Sequence, residues 1–209
     1  MLNIKSILSI SPVIPVVVIP PEVDAVALGN AFSSGGIKII EVTLRTKNAL
    51  DAIRSISAEC SDICIGAGTV WNKEEAEQAI ENGAQFLVSP AFVKSVHEVC
   101  VEAEIPYLPG VATVTEAAQC AELGITAVKV FPANIVGGPA AIKAFASVLP
   151  DLLYCPTGGV NLDSARDYLA LDNIVCVGGS WLLDKELVNT SDWSGLENIA
   201  RSTLETLAA

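Results

Sequence analysis

Eight short apolar runs, rich in β-branched residues and recurring roughly every 20–25 residues between helical stretches, limit the folds open to this chain more than any other feature. They are VIPVVVI (13–19), IKIIEVTL (37–44), ICIGAGTV (63–70), AQFLVSP (84–90), IPYLPGV (105–111), AVKVFPA (127–133), LLYCPTGG (152–159) and IVCVGGS (174–180). Between them lie segments such as NALDAIRSISAEC (48–60) and KEEAEQAIENG (73–83), whose Ala, Ile and Leu fall at helical spacing. Gly35, Gly83 and Gly124 are placed to end helices before the next run. Eight βα units in 209 residues, with no linker or low-complexity tract, predict an α/β fold: a single-domain (β/α)8 TIM barrel over residues 1–209. The rival is a doubly wound open sheet, which usually has fewer strands. No G-x-G-x-x-G follows the first run, so its dinucleotide-binding form is weaker still.

Composition narrows the function. Hydrophobic residues make up 51% and charged residues 17%, which suits strands covered on both faces and argues against disorder. The net charge of −12 repels nucleic acid and anionic membranes, so neither is expected as a partner. An anionic small molecule would need local cations or backbone N–H donors. There are six cysteines and no C-x-x-C pair. Cys64, Cys155 and Cys176 fall inside strand runs, where a free thiol packs as a small hydrophobe. Reduced thiols and a cytoplasmic location are expected. The apolar start, Met1 to Pro20, mimics a signal peptide, but Pro12, Pro15 and Pro20 would disrupt its helix. Residues 13–19 within it read as a first buried strand instead. No uninterrupted apolar run reaches the roughly 18 residues of a membrane span.

In a barrel, active sites lie at the C-terminal strand ends, and residues two apart on a strand share a direction. The polar residues in apolar strands are therefore the candidates. In AVKVFPA, Val128 and Val130 would face the helices while Lys129 and Phe131 point inward. A desolvated lysine amine can become neutral and attack a ketone to form an imine. The alternative is a structural lysine paired with a barrel carboxylate. Glu41 shares inward parity with Ile39, Thr43 and Arg45, and a carboxylate beside an amine can shuttle protons. Arg45, just past the strand, could hold a substrate carboxylate in a two-pronged grip, or could sit in a surface salt bridge. Thr69 ends the GAGT run, where Gly66 and Gly68 would admit a ligand or backbone. PTGGV (156–160) and VGGSW (177–181) pair glycines ahead of helices, a pattern that offers N–H groups to a phosphate; Ser180 could add a hydroxyl. Two tight turns without a ligand would look the same.

Metal chemistry finds little support. The lone histidine, His97, pairs at best with Cys100 on one helix, and two ligands do not make a zinc site. A Ser–His–Asp or Cys–His centre would also depend on that helical His97. No metal or cofactor is expected.

At these residues the chain resembles the 2-keto-3-deoxy-6-phosphogluconate (KDPG) and 4-hydroxy-2-oxoglutarate (KHG) aldolase family. The motifs are EVTLRT (41–46), GAGTV (66–70), SP (89–90), PG-x-x-T-x-x-E (109–116), K-x-FPA (129–133), CPTGG (155–159) and GGSW (178–181), in order and over most of the chain. The resemblance implies a metal-free class I aldolase, usually a homotrimer, acting on a keto-acid phosphate. It implies Lys129 as the Schiff-base lysine and Glu41 as general acid/base. Arg45 and Thr69 would bind the pyruvate carboxylate, and Pro90 and Phe131 would line that pocket. Gly158, Gly159 and Ser180 would hold the distal phosphate. Two positions depart from the family pattern: Ala91 stands where Gly is frequent and Asn134 where Glu is frequent. Both lie beside strand ends and bear on the choice of substrate. Two further readings keep the barrel and drop the covalent lysine: a phosphosugar isomerase or synthase, and a non-catalytic phosphate-ligand-binding barrel.

Overall fold

Hydrogen bonds pass from strand to strand around a closed ring. The computed structural model describes residues 3–208, so the ends of the expected 1–209 domain, including the first two residues of the Met1–Pro20 stretch, lie outside the described residues. The strand segments are β1 (Val13–Val17), β2 (Ile39–Thr43), β3 (Cys64–Gly68), β4 (Phe86–Val88), β5 (Tyr107–Leu108), β6 (Gly110–Val111), β7 (Ala127–Val130), β8 (Leu153–Pro156) and β9 (Val177–Gly179). One ladder runs β5-β4-β3-β2-β1-β9 and another β6-β7-β8, with every pairing parallel. The β5 and β6 segments are two halves of one barrel strand, broken at Pro109, which has no N–H to donate. The first half pairs with β4 and the second with β7. Bridges Tyr154↔Ile174 and Thr157↔Gly178 join β8 to the last strand region and close the cylinder. The result is the eight-position barrel the sequence predicts. Its ladders are shorter than the apolar runs, because the chain peels away into loops at the strand ends.

Period-two alternation sorts the strand residues into two shells. The outer shell, between strands and helices, holds Val13, Val17, Ile40, Val42, Ile65, Leu87, Val128, Val130 and Tyr154. A separate inner cluster holds Ile14, Ile39, Phe86, Val88, Leu108, Ala127, Cys155 and Cys176. Ile7 and Leu8 join that inner cluster from a short helix, α1 (Ile4–Leu8), which the sequence reading did not foresee. Asn3 caps it by accepting from the Ser6 N–H. This helix plugs the end of the barrel interior where the strands begin.

Around the cylinder follow α2 (Ala25–Ser34), α3 (Ala49–Glu59), α4 (Lys73–Glu81), α5 (Lys94–Glu102), α6 (Val114–Glu122), α7 (Gly138–Val148), α8 (Leu162–Leu169), α9 (Lys185–Asn189) and α10 (Trp193–Ala208). Side-chain caps start several of them: Asp24 for α2, Asn72 for α4, Thr113 with Glu116 for α6 and Asn161 with Ser164 for α8. Gly83 and Gly124 take the left-handed conformation at helix ends, but beside α2 that role falls to Gly36. Gly35 has an ordinary helical φ. Its missing side chain instead makes room for Ala200 and the Glu197 carbonyl of α10, so the last helix closes against an early one.

All six cysteines are free thiols. Among the described residues no helix is long and apolar enough to cross a membrane. Burial pushes the Cys100 thiol up to about 12 and Cys64 up to about 11 from 9.0. Above pH 9 the unfolded chain sheds protons that the folded chain still holds, so stability falls as pH rises through that window. Cys100 alone is expected to remove about 1 kcal/mol by about pH 10. Urea unfolding across the alkaline range checks this, and Cys100→Ala should make the pH dependence shallower.

Candidate active site

The middle of β2 carries a carboxylate into a space otherwise reserved for apolar atoms. Glu41 lies in a register row that reads Val16, Glu41, Gly66, Phe86 across four strands. Lys129, on β7, lies between Gly110 and Cys155 in its own row. The two side chains meet across the barrel: Nζ donates to Glu41 Oε1 at 3.1 Å and lies 3.3 Å from Oε2. Only 4% of Glu41 and 5% of Lys129 is exposed. Either charge alone at that depth would be costly, so each requires the other.

Glycines make this meeting possible, though in a different way from that expected. A side chain on Gly68 would collide with the Glu41 carboxylate, and one on Gly66 with the Phe86 ring. These positions therefore admit neighbouring side chains rather than a ligand or backbone. Phe86 fills the floor below Glu41, and Gly68 leaves the carboxylate its place. On the other wall, the Lys129 N–H donates to the Pro109 carbonyl at 2.8 Å. That carbonyl sits at the break between β5 and β6 and fixes the lysine's backbone. The ammonium lies 5.7 Å from the centre of the Phe131 ring, within reach of its negative face.

Above the pair opens a cavity of about 170 Å³. All nine residues singled out from the sequence line it: Glu41, Arg45, Thr69, Pro90, Lys129, Phe131, Gly158, Gly159 and Ser180. Among the described residues no carboxylate lies within salt-bridge distance of Arg45, so the surface-salt-bridge alternative has no partner there. Thr69 follows β3 with φ of 61°, a left-handed backbone that a β-branched residue adopts at a cost of about 1–3 kcal/mol. Its neighbours hold it there. The Val70 N–H donates to the Val88 carbonyl, and the buried Ser89 hydroxyl donates to the Val70 carbonyl at 2.6 Å. At the far end Gly158 and Gly159 are both left-handed, with φ of 91° and 70°. A side chain at Gly158 would come within 3.1 Å of the Phe131 ring, closer than ordinary contact, on a left-handed backbone that already favours glycine.

Five further lining residues escaped the sequence reading: Val16, Val18, Thr157, Val160 and Gly178. The inward parity of Val16 and Val18 was available from the alternation of the first run. Nothing local marked Ser89 as the tie that steadies Thr69. Thr43, on the inward parity of Glu41, turns its hydroxyl to the Val17 carbonyl at 3.0 Å and binds β2 to β1. The two departures from the family pattern sit behind the cavity wall. Ala91 borders a second hollow of about 220 Å³ that shares Pro90 and Phe131 with the first. Asn134 is exposed, with its side chain against Gly159. His97 stands half-buried on α5, its ring 5.9 Å from Phe92 and 6.2 Å from Tyr107, away from the cavity. Among the described residues no group of three or more His, Cys, Asp or Glu is placed to hold a metal ion.

The geometry places an amine and a carboxylate in contact at the bottom of a small cavity, with a guanidinium at its edge and glycine arcs at its other end. Known proteins resemble this chain in sequence and in fold. The family model for KDPG and KHG aldolase matches residues 4–199. The 2-dehydro-3-deoxy-phosphogluconate aldolase of Pseudomonas aeruginosa is 41% identical over 196 residues, covering 94% of this chain and 89% of the relative. The crystal structure of KDPG aldolase from Legionella pneumophila, with pyruvate captured at low pH as a covalent carbinolamine intermediate, superposes with a TM-score of 0.92 at 37% identity, covering 95% of this chain and 97% of the other. That of the Zymomonas mobilis 2-keto-3-deoxy-6-phosphogluconate aldolase with 3-phosphoglycerate gives 0.91 at 37% identity, covering 97% and 95%. The chain belongs to the KDPG and KHG aldolase family.

Proposed function

We propose that this chain is a class I aldolase that cleaves 2-keto-3-deoxy-6-phosphogluconate to pyruvate and glyceraldehyde 3-phosphate, as in Entner–Doudoroff-type carbohydrate metabolism. The observation that carries the reading is the buried contact between Lys129 and Glu41 beneath the cavity. Glu41 takes a proton from Lys129, and the free amine adds to the C2 ketone. Glu41 returns that proton to the new alkoxide, then carries a second proton from the nitrogen to the same oxygen, which leaves as water and generates the iminium. The C4 hydroxyl then loses its proton to Glu41, directly or through a water molecule. The C3–C4 bond breaks, its electrons pass to the enamine, and glyceraldehyde 3-phosphate departs. Protonation at C3 and hydrolysis of the iminium release pyruvate and restore the amine. Splitting the reaction at a covalent intermediate lowers each barrier in turn.

The remaining lining residues orient the substrate. Arg45 and Thr69 hold the carboxylate next to the ketone, and Pro90 and Phe131 shape the space for the pyruvyl carbons. N–H groups around Gly158 and Gly159, with the Ser180 hydroxyl, receive the distal phosphate and hold it in place. The covalent pyruvate of the Legionella relative and the phosphoglycerate of the Zymomonas relative support the two ends of this assignment. A second reading, cleavage of 4-hydroxy-2-oxoglutarate to pyruvate and glyoxylate, is supported by a family that joins the two aldolases. Cytoplasmic location is part of the proposal and is supported by six free thiols.

A homotrimer is proposed as well. Trp71, Val114 and Ile135 are exposed large apolar residues. They follow β3, β6 and β7, within one contiguous arc of the barrel's open end. Together they offer an apolar surface that a second copy would cover.

Borohydride reduction in the presence of pyruvate should fix one pyruvyl group on Lys129, located by peptide mapping. No adduct would favour a phosphosugar isomerase or synthase in which the lysine stays a plain cation. Glu41→Gln should lower kcat by roughly 10²- to 10⁴-fold. Turnover of the gluconate and galactonate epimers and of 4-hydroxy-2-oxoglutarate separates the substrates, since all three share the trapped intermediate. Sedimentation equilibrium should return three times the mass of the chain, and Ile135→Asp should lower that mass.

A further inference from the structure

Two thiols lie where the proposed reaction does not use them. Cys155 on β8 and Cys176, one residue before β9, both belong to the inner cluster of the barrel. Their sulfurs are 3.7 Å apart, with Cys176 donating to Cys155. Cys155 is the register partner of Lys129, and its sulfur is 4.0 Å from the Thr157 hydroxyl, a wall of the cavity. The hydrogen bond from Cys176 lowers the Cys155 thiol from its ordinary value; burial and the Glu41 carboxylate oppose this, and Lys129 and Thr157 assist it. The same bond, with burial, holds Cys176 well above its ordinary value. Two touching thiols of unlike acidity give one nucleophile and one resolving partner.

The strands carrying these thiols meet at a joint without a continuous ladder. Among the described residues β8 and the last strand region share only the bridges Tyr154↔Ile174 and Thr157↔Gly178, whereas β2 and β3 pair at five consecutive positions. The two bridges are separated by two residues on one side and three on the other, so the chain around Cys176 carries one extra residue. A joint of this kind can shift more cheaply than a continuous ladder.

We propose that Cys155 and Cys176 form a peroxide-sensitive thiol pair whose disulfide closes down the cavity. The Cys155 thiolate attacks one oxygen of hydrogen peroxide, the O–O bond breaks, and hydroxide leaves and takes a proton to become water. Cys155 is left as a sulfenic acid. The Cys176 sulfur then attacks the Cys155 sulfur, the S–S bond forms as the S–O bond breaks, and the oxygen departs as water with the Cys176 proton. Two electrons leave the thiol pair and reduce one peroxide to two waters. A dithiol reductant reverses the change. Bonding draws the sulfurs from 3.7 Å to about 2.05 Å. The pull falls on Thr157 and Gly178, which both line the cavity, and the Thr157 hydroxyl already fills the side-chain space of Gly178. Turnover should fall roughly 10- to 100-fold. Neither sulfur lines the cavity, so peroxide would reach Cys155 past Thr157, and a ligand seated over Lys129 should slow the reaction.

The test is to expose the native protein to hydrogen peroxide, quench with acid, alkylate in denaturant and map the peptides by mass spectrometry. The expected result is a cross-link between Cys155 and Cys176, the other four thiols remaining alkylated, with turnover lost and then restored by dithiothreitol. Protein whose Lys129 already carries the borohydride-reduced pyruvyl group, freed of excess pyruvate before exposure, should cross-link more slowly, and Cys176→Ala, checked for folding by circular dichroism, should give none. Wild-type protein with all six thiols still alkylated, a cross-link elsewhere, or a Cys155–Cys176 cross-link without loss of turnover overturns the proposal. The wild-type thiol map does not depend on aldolase activity, so its failure is distinct from failure of the aldolase reading.

Discussion

A lysine and a glutamate that touch inside the barrel set the terms for everything around them. Water would solvate each charge better than this interior does, so the pair is a poor way to gain stability. A leucine and a methionine would fill the same space at lower cost. The chain nevertheless spends several positions on it. Gly68 gives up a side chain so that the Glu41 carboxylate has room, and Gly66 does so for the Phe86 ring beneath it. The Pro109 carbonyl, at the break in the fifth barrel strand, receives the Lys129 N–H. Such arrangements make sense where the pair does chemistry, since active sites are where buried titratable groups concentrate.

The fold decides which end of the cylinder can use the pair. Ile7 and Leu8 of α1 close the end where strands begin, and the inner cluster fills the space up to Phe86 and Val88. What is left is a small opening at the strand C-termini. One strained residue stands there, Thr69 at φ of 61°, beside two left-handed turns that Gly158 and Gly159 make without strain, at 91° and 70°. The apolar layers below stay regular. Strain of this kind persists only when neighbours over-determine it. For Thr69 they do, through Ser89, Val70 and Val88.

Much of this was legible in the sequence because two periodicities carried it. The spacing of apolar runs gave the barrel, and alternation within runs put Lys129, Phe131, Glu41 and Arg45 on the inward side, where they line one cavity. The same alternation could have found Val16 and Val18. Other features depend on contacts distant in the chain and left no local trace. Gly66 and Gly68 read as glycines near a ligand, but their purpose lies in side chains 20 to 27 positions away, Phe86 and Glu41. Gly35 read as a helix stop, yet it serves the packing of α10, far along the chain. The α1 plug hid inside an apolar, proline-flanked start that reads first as a strand approach. The break at Pro109 was visible as a residue, but its consequence, one strand shared between two ladders, follows only from closure of the ring.

The barrel is also unevenly held together, and the unevenness follows the proposed division of labour. Glu41 stands on β2, which pairs with β3 at five consecutive positions. The glycine arcs proposed to receive the distal anion leave from β8 and β9, which two isolated bridges join. Local opening is cheapest where backbone hydrogen bonds are fewest. Bond-making chemistry needs the reacting atoms held to within fractions of an ångström, and the two residues proposed for it stand on the two longest ladders, β2–β3 and β7–β8. Grip on a remote phosphate or carboxylate tolerates more play, and it falls to the looser part. A cavity divided in this way suits a family whose two substrates agree at the keto-acid end and differ in length beyond it, because the loops after β8 and β9 can adjust while the β7–β8 ladder keeps the amine in place.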